Sequence, residues 1–261
     1  MSSPQNVNIG AAYDSIAADY DALMQPDMRM RRALWRRYAR IFRPGDAILD
    51  FGCGTGTDAI YLAGLGIRVT GIDASPGMIS ELRRKANAER LDIKACVGSI
   101  NDLQQFAPGS FAGITSAFAA LNTVPDLSVF AIEAHRMLHP GGRLVAHFLA
   151  APGLWETLEC LAAGRWKAAR ERRTCRERTK AVCGEPLTHV LLSPRETYQR
   201  FFGERFKLRG LCGLGFLWPR AWDGIVPVAV GSIGNQIESI AGRFPPFSDL
   251  GRFFLLDLER R

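Results

Sequence analysis

The stretch that most constrains this chain is residues 48–75, ILDFGCGTGTDAIYLAGLGIRVTGIDAS. A short apolar run, 48–51, leads into Gly52-Cys53-Gly54-Thr55-Gly56-Thr57, and a second apolar run ends on a lone acid, Asp73. Glycine is needed where φ is positive or where a ligand lies against the backbone. A strand entering such a loop, followed by a helix and a second strand, is the start of a parallel sheet with a ligand across its carboxyl ends. In the dinucleotide fingerprint, G-x-G-x-x-G, the third glycine stands where this chain has Thr57. Its own third glycine, Gly56, comes one residue early. Asp50, two residues before the first glycine, would repel a pyrophosphate and suits a ligand bearing ammonium and sulfonium charge. Asp73, ending the second strand, suits a pair of ribose hydroxyls.

The rest of the first 150 residues keeps the same rhythm. Apolar periodicity predicts two helices within 11–43, stopped by RPGD at 43–46. Strands are predicted at 48–51, 68–72, 93–98, 111–118 and 143–149, with helices at 58–63, 76–90 and 127–138 between them. Strands alternating with helices at this spacing predict parallel pairing with right-handed crossovers. After Pro152 the rhythm breaks into a helix, a short hairpin around Gly184-Glu185-Pro186 and a helix with Ser193 as N-cap and Pro194 at its first position. Two more strands are predicted at 206–214 and 253–260, with an amphipathic helix near 228–242 between them.

With these elements placed, ILDFGCGTG…GIDASPGMI resembles the first two cofactor motifs of the class I S-adenosylmethionine-dependent methyltransferases, in their small-molecule branch. VGSINDL sits where that family contacts adenine, and RMLHPGGRLV matches its lead into the fifth strand. YDSIAADYD resembles the helix that covers the cofactor. The likeness spans roughly residues 11–150. It implies a Rossmann-like, doubly wound α/β fold with a seven-stranded sheet, parallel except for an antiparallel last strand. A single domain, 1–261, would hold a cofactor-binding core (11–150) and two substrate-cap insertions, 151–192 and 213–250.

Carried over position by position, the resemblance implies S-adenosyl-L-methionine as cofactor. Gly52, Cys53, Gly54, Thr55 and Gly56 would pass beneath its methionine end, and Asp50 would hold the amino group. Asp73 would take the ribose, Ala74 and Met78 would flank the adenine, and Ser99 with Ile100 would meet its edge. Phe118 would meet the methionine end and Tyr20 would close over the ligand. The chain departs from the family at Ser99, where an acid is common, and at Ala112, where an acid usually follows Phe111.

Methyl transfer from a sulfonium is an in-line displacement that chiefly needs alignment and exclusion of water. A base is required only where the acceptor must lose a proton. His147, near the end of the fifth strand, is the first candidate base, against a reading as a packed histidine. Asn122 is a candidate for orienting the acceptor, against a loop-capping role. His189, Tyr198 and Asp223 are weaker candidates, and His135 and His139 are read as structural. The later segments hold Trp155, Trp166, Tyr198, Phe201, Phe202, Phe216, Trp218, Trp222, Phe244 and Phe247. A pocket lined by some of them would take an aromatic or apolar molecule, and nearby arginines would suit one with an acidic group. The expected function is methylation of such a small molecule, at oxygen before nitrogen or carbon. A catalytically silent, cofactor-binding scaffold is the alternative from another class, and a nicotinamide oxidoreductase is disfavoured by the loop.

Nucleic acid is an unfavoured substrate. AFAALNT after the fourth strand has neither the Asn/Asp-Pro-Pro-aromatic turn of DNA amino-methylases nor a nucleophilic cysteine. The net charge of +7 is concentrated in two places. Residues 165–180 carry eight Lys/Arg against two Glu, and Arg29, Arg31, Arg32, Arg36, Arg37, Arg40 and Arg43 precede the glycine loop. Both groups read as solvated helix faces; the sharper reading is attraction to an acidic substrate, a carrier protein or a membrane surface. No run of 18 apolar residues predicts a spanning helix, and MSSPQNVNIG carries no signal-peptide pattern. Six scattered cysteines without a CxxC pair read as reduced thiols of a cytoplasmic protein, with no metal site.

Overall fold

Along β1 (Ala47–Phe51), Ile48 and Leu49 are both fully buried, yet they pack into different cores. Alternate residues of a strand face opposite sides of a sheet, so a strand apolar at every position needs helices on both faces. That arrangement is found in a computed structural model of the protein, which describes residues 9–261 except 152, 175–176, 183–184, 220–221 and 223–224. The other strands of the main sheet are β2 (Arg68–Asp73), β3 (Ile93–Val97), β4 (Phe111–Ser116), β5 (Leu138–Leu149), β8 (Phe206–Leu214) and β9 (Phe253–Arg260). Their order is β3-β2-β1-β4-β5-β9-β8. β1 to β5 are parallel, and β9 inserts antiparallel to both β5 and β8. The last strand in sequence is thus the one that opposes the rest, as expected. β6 (Glu177–Val182) and β7 (Glu185–Val190) form a separate hairpin, where the sequence predicts one; Cys183 and Gly184 at its turn lie outside the described residues.

One core is built by Leu34 and Tyr38 of α3 (Met28–Ile41) with Phe42 just past its end, Leu62 of α4 (Thr57–Gly64) and Ile79 and Leu82 of α5 (Pro76–Ala88), against Ile48, Val69, Val145 and Leu255. The other is built by Phe130, Ala134 and Met137 of α6 (Leu127–Met137) with Phe202, against Leu49, Ile114, Phe148, Phe254 and Leu256. Three layers result, and the carboxyl ends of β1, β2 and β4 open along one rim.

Three elements differ from expectation. The first predicted helix is broken: α1 (Ile9–Asp14) is followed by turns and by the single turn α2 (Tyr20–Leu23). Ser15 Oγ donates to the Ala12 carbonyl, a local bond that competes with helix continuation. The fifth strand starts at Leu138, which pairs with Phe111 across a register shift, so HPGG lies inside it. The second insertion carries α10 (Val228–Ala241) and α11 (Phe247–Leu250); α10 packs on α3 and β8, at the opposite edge of the sheet from β3. Its amphipathic period predicts the helix but carries no information on which wall it covers.

The first insertion holds α7 (Leu154–Ala162), α8 (Trp166–Thr174) and the hairpin. Neither α7 nor α8 has a place in the two cores, and β7 reaches the turn 120–123 beside the rim. Among the described residues no helix is long and apolar enough to cross a membrane.

Candidate functional site

The three glycines of the loop all have positive φ, and each is used differently. A Cβ on Gly52 would lie 2.4 Å from the Cβ of Ala120, so this glycine lets the turn after β4 close onto the loop. A Cβ on Gly56 would lie 2.1 Å from Leu82 Cδ1, so this one lets α5 pack against the start of α4. A Cβ on Gly54 would meet only the Tyr20 ring, at 3.7 Å. The floor beneath Tyr20 is therefore bare backbone.

Above that floor lies a cleft of about 830 Å³ that is open to solvent on one side. Asp73 stands at its centre: Oδ2 accepts the Gly54 N–H at 2.8 Å and Oδ1 the Ser75 N–H at 3.0 Å. The two amides fix the carboxylate and leave its remaining lone pairs toward the cleft. Burial raises its pKa, and the same amides restrain the rise. Met78, Ile72 and Ile100 give an apolar slot beside it. Ser99 and Asp102 form a capping box, with Asp102 accepting from the Ser99 amide and hydroxyl. The acid that the family resemblance leads one to expect at 99 is thus supplied three residues later, spent on the backbone of the loop.

Of the residues singled out from sequence, Tyr20, Gly52, Gly54, Asp73, Ala74, Met78, Ser99, Ile100 and Phe118 line the cleft. Asp50, Cys53, Thr55 and Gly56 do not. Asp50 is fully buried beneath the loop, with Oδ1 accepting from the Thr115 hydroxyl at 2.9 Å and Oδ2 unpartnered. Burial first, then the nearby Asp58, raises its pKa to about 7. Cys53 is buried against Gly71. Thr55 donates its hydroxyl to Asp21 at 2.5 Å, and Lys85 pairs with the other Asp21 oxygen at 2.7 Å.

The two candidate catalytic residues lie behind the wall of the cleft, not in it. His147 is buried, stacked on Phe253, with Nδ1 accepting the Phe118 N–H at 3.2 Å and its carbonyl accepting the Ala119 N–H at 3.1 Å. Phe118 and Ala119 both have positive φ, a conformation that side-chain-bearing residues adopt only when held. His147 holds it. Burial, with Arg31 and Arg252 nearby, lowers its pKa to about 3. Asn122 donates to the carbonyls of Leu149 and Val190 at 3.0 and 2.6 Å and accepts the Leu149 N–H at 2.9 Å. It ties the rim turn to β5 and to the hairpin, so its structure is that of the loop cap.

Sequence reading missed Ile9 and Tyr13 on one side of the cleft and Thr123, Val124 and Pro125 on the other. Tyr13 lies in the quoted YDSIAADYD and packs edge-on against Tyr20, with ring centroids 6.2 Å apart. Between them, Asp14 Oδ1 accepts from the Ser75 hydroxyl and from the Gly77 N–H, which staples α1 to the start of α5. No aromatic residue of the two insertions is among the cleft residues. Phe202 is core, Tyr198 donates to the Phe206 carbonyl, and Trp155 to that of Phe216; Asp223 lies outside the described residues. The arginines of α3 are not simply a solvated face: Arg31 is buried against Asp58 at 2.5 Å with its guanidinium 4.3 Å over the Phe118 ring, and Arg37 pairs with Asp257 at 2.6 Å.

A family model described as a methyltransferase domain matches residues 48–142. A demethylmenaquinone methyltransferase of Beutenbergia cavernae is 34% identical over 157 residues, 59% of this chain and 62% of that protein. A ubiquinone biosynthesis O-methyltransferase of Xanthomonas campestris is 35% identical over 106 residues, 41% of this chain and 44% of that one. The matched stretch thus spans about half the length of these curated relatives. In fold, the chain is similar over its whole length, and over 93% of the other chain, to 1,6-didemethyltoxoflavin-N1-methyltransferase of Burkholderia thailandensis, with a TM-score of 0.61 at 16% identity.

Proposed function

We propose that this chain, a class I S-adenosylmethionine-dependent methyltransferase, methylates a small aromatic or apolar acidic molecule, at oxygen. The observation that carries the reading is the amide-held carboxylate of Asp73 over the bare backbone of Gly52 and Gly54. A carboxylate with free lone pairs accepts two ribose hydroxyls, and the slot of Ile72, Met78 and Ile100 accepts a flat base. When bound, S-adenosylmethionine supplies an electrophilic methyl group on sulfur. Gly52 and Gly54 then carry the methionine end, Ser99 and Ile100 border the adenine, and Tyr13 and Tyr20 close over the top and exclude water. Asp50 lies below the loop with Oδ2 unpartnered, and a cationic amino group above the loop would favour its ionised form. Arg31 and His147 fix Phe118 from its two sides.

The apolar wall of Val124, Pro125 and Ala120 favours an apolar acceptor, and the quinone-pathway names of two relatives fit that class. The titratable side chains among the described cleft residues are Tyr13, Tyr20 and Asp73, and burial raises the pKa of all three. The two tyrosines stay protonated at neutrality, and the Asp73 carboxylate is engaged by the Gly54 and Ser75 amides and by the ribose, so the acceptor's own ionisation supplies the nucleophile. The rate with a phenolic acceptor should rise with pH and level off above the acceptor's pKa. A second inflection near pH 6–7, removed by His147→Gln, would restore that histidine as a base.

Calorimetry with S-adenosylhomocysteine is the direct test. Asp73→Ala should weaken binding by roughly 1.5–3 kcal/mol, the order for a lost hydrogen bond to a charged group; unchanged affinity rejects the site. Incubation with methyl-labelled cofactor and a panel of quinols and phenolic acids tests the acceptor class. Tight binding with no labelled product would favour the silent scaffold.

A further inference from the structure

α10 is amphipathic the wrong way round for a helix of a folded domain. Its inward side is small and polar: Gly231 lies over the Arg29 side chain and Gly234 over Trp218. Asn235 donates to the Arg29 carbonyl at 3.0 Å, and Glu238 accepts the Leu217 N–H at 2.8 Å. Its outward side is Val230, Ile233, Ile237 and Ile240, continued one turn later by Phe244, at intervals of three and four residues. Ile233 is 60% exposed and Ile240 62%. A soluble surface does not usually leave such a stripe open to water without a use for it.

What the stripe would meet is indicated by charge. Arg243 follows Ile240 and precedes Phe244 on the same exposed end, and it has no acidic partner among the described residues. It lines a groove of about 890 Å³ together with Arg195 and Arg209. Arg209 is held by Glu259, and Arg195 lies 4.0 Å from Asp249. The one acid of α10, Glu238, is buried on the inner side, so a second copy docking through this stripe would bring no carboxylate from it to Arg243. A surface combining hydrocarbon with negative charge complements both features. We propose that the outward face of α10, ending at Arg243, docks the protein on an anionic lipid bilayer. The helix lies in the interface and does not cross it. The inference goes beyond the methyl-transfer reading and does not depend on it, because none of these residues lines the cofactor cleft.

Flotation of the full chain with vesicles tests it. The protein should float with phosphatidylcholine vesicles containing a third phosphatidylglycerol, much less with phosphatidylcholine alone, and less again at about 0.5 M salt, where charge is screened. Ile233→Ser with Ile237→Ser should reduce binding to the anionic vesicles about tenfold or more, and Arg243→Glu should abolish the preference for them. S-adenosylhomocysteine affinity should be unchanged in every variant, which separates lost docking from lost folding. If the double variant loses that affinity, Arg243→Glu and Ile240→Asp, each a single exposed change, carry the test. The proposal is overturned if the native chain floats with neither vesicle. It is equally overturned if the variants float like the native chain, or if the native chain is a dimer that the serine changes convert to monomer with no change in flotation.

Discussion

Asp50 lies beneath the glycine loop and His147 behind the Phe118 turn, both wholly buried, yet their titrations bear on stability with opposite sign. Asp50 is protonated in the fold up to about pH 7, whereas an unfolded aspartate has lost its proton by about pH 4. Between those values the folded state holds the extra proton, so its stability falls as pH rises, by at most about 1.4 kcal/mol per pH unit. His147 stays neutral down to about pH 3 while the unfolded imidazole is protonated below about 6.5; in that window stability rises with pH. The two slopes oppose each other through most of the acid range. Asp50→Asn keeps the acceptor for the Thr115 hydroxyl and removes only the titration. Its melting temperature relative to the native protein should therefore increase from pH 4.5 to pH 8, measured by calorimetry without cofactor. A difference independent of pH would mean that Asp50 is ionised throughout. Asp50 and Asp73 were legible as special residues because acids at strand ends beside glycines have few structural uses. Which of them lines the cleft was not legible: Asp50, next to last in β1, is turned under the loop, whereas Asp73, the last residue of β2, stands at the open rim.

At the scale of elements, the glycine loop shows how one motif combines several constraints. Gly54 leaves open backbone beneath Tyr20, whereas Gly52, which also lines the cleft, and Gly56 make room for Ala120 and Leu82. Gly52→Ala requires both a left-handed alanine and displacement of the Ala120 methyl group, and should cost about 2–4 kcal/mol in denaturant unfolding. Ala120→Gly should recover part of that cost by removing the clash while the φ penalty remains. Asn122 is the corresponding device at the other rim. Asn122→Ala removes the acceptor of the Leu149 N–H and the donor to the Val190 carbonyl, while the Leu149 carbonyl keeps the Leu192 N–H, and should destabilise by about 2–4 kcal/mol. Its first effect should be faster hydrogen exchange at Leu149 and in β7. The strand positions at 206–214 and 253–260 were readable because apolar runs bounded by turn residues persist in a sheet buried on both faces. α1 and α2 were misread as one helix because the local Ser15–Ala12 bond is reinforced from Ser75 and Gly77, some sixty residues away, which donate to Asp14 at the end of α1.

For the whole molecule, Asp257 of β9 joins parts of the chain that are far apart in sequence. One oxygen accepts from Arg37 of α3, the other from Arg143 of β5, and the carboxylate is nearly inaccessible. A buried carboxylate with a guanidinium on each oxygen locks the antiparallel strand against both its neighbour and a helix layer. Asp257→Ala strips two arginines that are about a quarter exposed, and should cost about 3 kcal/mol, the low end for breaking a buried pair. Equilibrium urea unfolding measures it, and a loss below about 0.5 kcal/mol would class the pair with ordinary surface ion pairs.

The arginines before the glycine loop looked like one basic helix face, yet the fold sends Arg31 to Asp58, Arg37 to Asp257 and Arg29 to the Trp218 ring, and leaves Arg32, Arg36, Arg40 and Arg43 exposed. Sequence alone determined the parallel sheet, the glycine cradle and Asp73, because these follow from local periodicity and from backbone conformations that only glycine adopts freely. The register of its three glycines set the dinucleotide fingerprint aside, and the resemblance of the motifs to a family pointed to the cofactor class. Only the tertiary structure decided that His147 supports Phe118 from behind, that Asn122 is a strap, and that α10 turns its apolar side outward. Each of those depends on what lies across the fold, and a helical period specifies two faces without specifying which one meets the core.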